Sequence, residues 1–278
     1  FHSVWSAEAY GADALSQLAY VAALTKRLKL GTGIAQVSAR PPATLGMHAM
    51  TIDALAGGGR VILGLGVSGP QIVEGWYGQP WGKPAKQMRD YVSILRKVMD
   101  RQEPVAYAGE EISLPYRGPR SLGQGKALKS ILHPVARIPI WLASVGPLNT
   151  EFCAEHTDGW LPMANSDESQ AALQRGWAKR GGRPADFEIF TNATIRFTDD
   201  ARGASAATVR FNIETKIDPT RPDDTAAPEP MVRALLAEID KAYVSTGKIR
   251  YVFRNFPIEG IHPQAFRAHE AGACAAEQ

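Results

Sequence analysis

Cysteine is almost missing from this chain. Cys153 and Cys274 are its two thiols in 278 residues. They stand far apart, with no CxxC pair and no metal-ligand spacing, which argues against a disulfide framework or a structural zinc site. Such usage fits a reducing compartment, and a cytoplasmic location is expected. The histidines do not repair the lack: His48 falls among Met47 and Met50 in a predicted helix, and His133 precedes a proline. Neither has a spaced partner, so no metal site is expected. No apolar run approaches the ~20 residues of a membrane span. The N-terminus also lacks the basic-then-apolar layout of a signal peptide, so no membrane partner is expected. Charge of one sign is scarce too. Lys and Arg number 31 against 28 Asp and Glu, a net +3, and no basic stripe interleaves with aromatics, which argues against nucleic acid and leaves an anionic small molecule compatible.

What is present is apolar and periodic. With 45% hydrophobic residues the chain can bury a full core, and 1–278 is read as one domain. Residues 1–7 form a short β-type run ending at Glu8. A helix is predicted over 13–27 from Leu15, Leu18 and Ala22, a strand over 28–37, a helix over 41–56 with proline in its first turn and glycines 57–59 as its stop, and a strand over 61–67. The helical face of Met88, Tyr91, Val92, Leu95 and Met99 places another helix at 84–100. Strands are predicted at 139–143 and 160–164 around a helix at 149–157, then a strand at 187–197, a helix at 232–243 and a strand at 249–256, about seven strands in all. Residues 218–230 read as a short polar linker. Alternating β and α with short connections predicts an α/β fold with a parallel sheet, doubly wound or closed into a barrel. Residues 101–137, rich in glycine and proline with a hairpin predicted at 105–114, form a long irregular insertion of the kind that serves as a lid.

The stretch 60–77, RVILGLGVSGPQIVEGWY, carries most chemical information. An apolar run that breaks into GLGVSG reads as a buried strand whose end lets a ligand approach bare backbone; the same letters also fit a glycine-softened strand end. Trp76 and Tyr77 follow, and with Tyr10 they suggest an apolar substrate wall. Ser144, Val145, Gly146 and Pro147, with Asn149 at a helix start, provide the small hydroxyl, the backbone N–H groups and the positive dipole end that a phosphate needs. A plain βα turn capped by Asn149 fits them as well.

Four blocks, SVWSAEAYG at 3–11, LGTGIAQVSARPPA at 30–43, LGLGVSGPQIVEGWYG, and IPIWLASVGP with EHTDGWLP at 138–162, resemble the luciferase-like monooxygenase superfamily, specifically its F420-dependent oxidoreductase branch. The resemblance covers roughly the first 165 residues and weakens beyond about residue 198. It implies a TIM (β/α)8-type barrel, with Phe1 falling at the family's second strand, so that the first strand and helix are missing and a seam is left open. It implies hydride transfer between coenzyme F420 and a small organic substrate, and by analogy a homodimer. The alternatives are an FMN-dependent monooxygenase using reduced flavin and oxygen, and an inactive flavin-binding relative. The cofactor is expected against Gly33, Ile34 and Ala35, where relatives carry a nonprolyl cis peptide, against Gly66, Val67 and Ser68, and with its phosphate on the 144–147 loop. Lys83, Lys86, Arg117, Arg120, Lys126 and Lys129 could meet an anionic tail, or form a solvated face. Glu8 stands where relatives place a proton-handling group, and it is expected to move a proton while hydride moves; an exposed loop cap is the bland reading.

Overall fold

The computed structural model describes residues 2–163 and 165–190, with the strand backbone of 211–212 and 251–255. The elements are β1 (Ser3–Ser6), α1 (Ala14–Leu24), β2 (Lys29–Thr32), β3 (Ala35–Gln36), α2 (Pro42–Leu55), β4 (Val61–Gly66), α3 (Pro70–Val73), α4 (Pro84–Asp100), β5 (Tyr107–Ala108), β6 (Ser113–Leu114), β7 (Ile140–Leu142), α5 (Pro147–His156), β8 (Gly159–Trp160), α6 (Asp167–Arg180), β9 (Glu188–Ile189), β10 (Phe211–Asn212) and β11 (Tyr251–Asn255). The predicted helix at 232–243 and the linker at 218–230 lie outside the described residues.

Among the described residues nine strands pair in one sheet in the order β10-β11-β1-β2-β4-β7-β8-β9, with β3 also on β4, and every pair in it is parallel. This is the arc of a TIM-type barrel that stays open, among the described residues, between β9 and β10. The expected bare edge beside β1 is corrected: β11 occupies it, with Ser3 opposite Val252 and Ser6 opposite Asn255. A strand from near the far end of the chain thus supplies the hydrogen bonds that an exposed edge would leave unmade. The 105–114 hairpin is present as the antiparallel pair β5–β6. Its inner end is tied to α4, where the Asp90 carboxylate accepts from the Tyr107 hydroxyl and from the N–H groups of Glu111 and Ile112.

The two faces of the sheet build two cores. Leu30, Val61, Leu63, Leu65, Ile140 and Leu142 point outward, where helices lay down Leu15, Leu18, Leu45, Met50, Ile94 and Leu95. Alternate residues point inward and form a smaller cluster of Trp5, Ile62, Trp141, Leu161 and Phe190. The Trp5 ring lies 5.1 Å from that of Trp141 and 5.4 Å from that of Phe190. The sequence makes room for these rings with glycine. A Cβ on Gly31 would come within 2.4 Å of the Trp5 ring, and one on Gly159 within 2.6 Å of Trp141.

Two buried acids fix the sheet's other end. Asp53 of α2 accepts from the N–H groups of Gly59, Arg60 and Val61, which sets the start of β4. Asp158, 8% exposed, pairs with Arg96 of α4 and with Arg137, and accepts from Ile140 N–H at 2.8 Å. Burial alone would raise its carboxyl, but the charge of Arg96 and the hydrogen bonds from Arg137 and Ile140 prevail and hold it below the usual range. A lowered folded value means that the contribution is complete above the ordinary carboxylate value and is lost as pH falls through the folded one. Asp158→Asn should therefore cost about 3 kcal/mol at neutral pH. In urea melts taken at successively lower pH, the gap between the two proteins should narrow below about pH 4.

Candidate functional site

β1, β2, β4 and β7 are consecutive in the sheet and parallel, so the loops that leave their C-terminal ends share one rim. The expected site residues lie on these loops or at the ends of the elements that flank them. Gly33 N–H donates to Ser6 carbonyl at 2.7 Å and Glu8 N–H to Ile34 carbonyl at 3.2 Å, which joins the loops after β1 and β2. Val37 N–H donates to Gly66 carbonyl, and Ala143 N–H to Leu65 carbonyl, which brings the ends of β4 and β7 beside them. The single strand expected over 28–37 is two, β2 and β3, divided by a Gly33–Ile34 peptide that is cis, as the resemblance implies.

The glycines of the 60–77 stretch do something other than expected. A Cβ on Gly64 would lie 2.0 Å from the Thr32 carbonyl oxygen, and one on Gly66 would lie 2.4 Å from Ile34 Cδ1. Protein atoms fill these gaps, so the glycines let neighbouring strands and the Ile34 side chain close in. The rim itself starts one step later. Ser68 has a φ of +61°, a left-handed conformation that an ordinary residue adopts at a cost and that concentrates at ligand clamps and active sites. Gly146 lies open: a Cβ there meets nothing within 4 Å, and its φ of −84° suits any residue.

Beyond Gly146, α5 begins with Pro147, which has no N–H, so the exposed donors of the first turn are those of the following residues. Ser144 contributes less than expected, since its hydroxyl is 3.0 Å from that of Thr150 and its carbonyl accepts from Trp160 Nε1. Near the rim, Gln36 Oε1, Ser38 Oγ and Asn149 Oδ1 are buried and have no hydrogen-bond partner among the described residues. Buried polar atoms are nearly always paired in a working structure. Three such atoms on loops that also carry an open glycine and a left-handed serine fit a polar, phosphate-bearing cofactor.

Around the rim stand the aromatics. Tyr10 and Trp76, 55% and 62% exposed, meet edge to face with ring centroids 6.5 Å apart. Tyr77 is half-buried, and its hydroxyl is pushed up by burial and by the charge of Glu8, against the opposing charge of Arg40. The basic residues expected to meet an anionic tail are less available than their number suggests. Lys86 pairs with Glu110, Arg117 donates to the carbonyls of Gly123 and Gly125, and Lys129 donates to that of Gln102.

Glu8 is not an exposed cap. Its side chain is 3% exposed and forms a two-pronged ion pair with Arg40, Nη1 to Oε2 at 2.9 Å and Nη2 to Oε1 at 2.5 Å. Gln36 N–H also donates to Oε2 at 2.9 Å. Arg40 was missed in the sequence reading, although a lone arginine inside the SARPPA block was the available signal. Cys153 takes no part: burial pushes its thiol up to about 12, which leaves it inert. Among the described residues no group of three or more His, Cys, Asp or Glu could hold a metal ion, and no helix is long and apolar enough to cross a membrane.

A profile for luciferase-like monooxygenases matches residues 1–248. The chain belongs to that family. A Mycobacterium tuberculosis protein named as a coenzyme F420-dependent oxidoreductase is 46% identical over 218 residues; the match covers 76% of this chain and 62% of that protein. An F420-dependent secondary alcohol dehydrogenase in complex with an F420-acetone adduct superposes with a TM-score of 0.61 at 14% identity, over 98% of this chain and 90% of that one. A monooxygenase from Streptomyces bottropensis superposes with a TM-score of 0.57 at 16% identity, over 100% and 89%. Similar superposition on enzymes of two kinds shows the fold and leaves the cofactor undecided.

The contrast between the glycines is testable in thermal melts. Gly66→Val should cost at least about 1–3 kcal/mol, because its Cβ is driven into Ile34. Gly146→Val should stay within about 1 kcal/mol of the parent, since its side chain enters open space at a helix N-cap.

Proposed function

We propose that this protein is an F420-dependent oxidoreductase that transfers a hydride between F420 and a small organic substrate. The observation that carries the reading is the rim where four neighbouring parallel strands end, with Ser68 in a left-handed conformation and Gly146 open beside it. The 46% identity to a protein named for F420 favours that cofactor over FMN.

In this reading Ile34 and Ala35, with Val67 and Ser68, form the wall against the cofactor ring, while Gly33 and Gly66 let that wall close. The backbone at Val145, Gly146 and the first turn of α5 receives the phosphate, with Ser144 shaping the loop and Pro147 starting the helix. When bound, F420 supplies the hydride donor or acceptor, which no protein side chain can provide. The chain's own contribution is orientation and shelter. The inner cluster of Trp5, Trp141 and Phe190 closes the sheet's inner face beneath the rim and keeps water from entering from below. Tyr10, Trp76 and Tyr77 offer the substrate an apolar wall at the mouth.

A titration of the purified protein with F420 and, separately, with FMN tests the proposal through the absorbance of each cofactor. F420 should bind, and the folded Gly146→Val protein should bind it at least tenfold more weakly, about 1.4 kcal/mol. Equal affinity in the two proteins would place the phosphate elsewhere. Binding of FMN with none of F420 would replace the proposal with the flavin monooxygenase alternative.

A further inference from the structure

Every polar group of Glu8 is committed to one neighbouring segment. Its N–H donates to the Ile34 carbonyl at 3.2 Å, and its carbonyl accepts from Gln36 Nε2 at 2.7 Å. Its carboxylate accepts from Gln36 N–H and from both terminal nitrogens of Arg40. The far side of Arg40 is fixed as well: the Tyr91 hydroxyl of α4 donates to its carbonyl at 2.9 Å. Bonds to ionised partners in bidentate geometry are about twice as strong as neutral ones. A carboxylate holding two of them and a backbone N–H, with 3% of its side chain exposed, is poorly placed to exchange a proton with a substrate in the mouth. It is well placed to hold residues 34–40 against the end of β1.

We propose that Glu8 and Arg40 are a positioning pair: together with Gln36 they lock residues 34–40 in the shape that seats the cofactor ring, and Glu8 does not transfer the proton. The inference rests on the F420 reading for the identity of the ligand, but the lock itself is a property of this chain. Among the described residues the charged and titratable groups that face the pair are Asp13 at the start of α1, Tyr77 after α3 and Tyr91 of α4. None of them offers Glu8 a second cation, so Arg40 has no substitute among these neighbours.

Positioning and proton transfer make opposite demands on Glu8→Gln. A positioning role predicts that Glu8→Gln and Arg40→Gln each weaken F420 binding tenfold or more, and that the double variant is no worse than the weaker single one, since either change opens the same lock. At saturating F420 the pH profile of turnover should keep its shape in Glu8→Gln. Arg40→Lys, which retains the charge but not the fork, should fall between the parent and Arg40→Gln. Amide exchange at Glu8, Gln36 and their neighbours should speed up in both single variants without any cofactor present, while amides of α4 and α5 should match the parent and report an intact fold.

A loss of turnover of about 10²–10⁴ in Glu8→Gln, with F420 affinity unchanged and one limb of the pH profile gone, would overturn the inference in favour of proton transfer. Parent-like affinity together with parent-like exchange would overturn it as well. If the parent binds no F420, the functional reading fails, and the exchange measurement still decides whether the lock exists. If a single variant does not fold, Arg40→Lys and Glu8→Asp, which keep both charges and disturb only the geometry, carry the same comparison.

Discussion

Parallel pairing is the constraint on which the rest of this molecule depends. Strands that run the same way must be joined by crossovers, and among the described residues α1, α2, α5 and α6 return the chain to the starts of β2, β4, β8 and β9, with α4 and the insertion leading to β7. The consequence is that every C-terminal strand end opens on the same side. Residues as distant in sequence as Glu8, Ile34, Ser68 and Gly146 become neighbours without any local signal that requires it. The opposite ends are closed by Asp53 and Asp158, which collect backbone N–H groups and arginines. One side of the sheet therefore carries stability and the other is left free for a ligand.

Within that frame, the depth of the site is set by packing. Trp5 and Trp141 need the space that Gly31 and Gly159 vacate, and Ile34 needs that of Gly66. These glycines are a response to large inward side chains rather than a direct approach to a ligand. The left-handed Ser68 and the open Gly146 are the positions where packing does not account for the backbone or the missing side chain. The Glu8–Arg40 pair adds to the backbone bonds between the loop after β1 and the segment after β2, and extends the tie as far as residue 40.

Much of the fold was legible because its signals are local. The amphipathic face of 84–100 and the proline-led start of 42–55 were read within a few residues of α4 and α2. The helix Asp167–Arg180 was missed even though Ser166 accepts from Ser169 N–H at its start and Gly181 ends it at a φ of +93°. Its apolar face is short, with Ala172, Leu173 and Trp177 set among charged residues, and a periodicity search finds little there. The cis peptide between Gly33 and Ile34 came from family resemblance, the division of 28–37 into two strands was missed, and nothing in the letters LGTGIAQ alone demands either.

By itself the sequence determined the α/β alternation, the family and the short list of loops that could bear a site, because hydrophobic period, glycine and proline act over a few residues. Only the tertiary structure decided what those loops do to each other. It set β11 beside β1, filled Gly64 and Gly66 with neighbouring protein, and turned Glu8 from a free acid at a strand end into the buried partner of Arg40. Each of these depends on contacts across about 30 residues or more of chain, and a pairwise contact of that range leaves no periodic trace in one sequence.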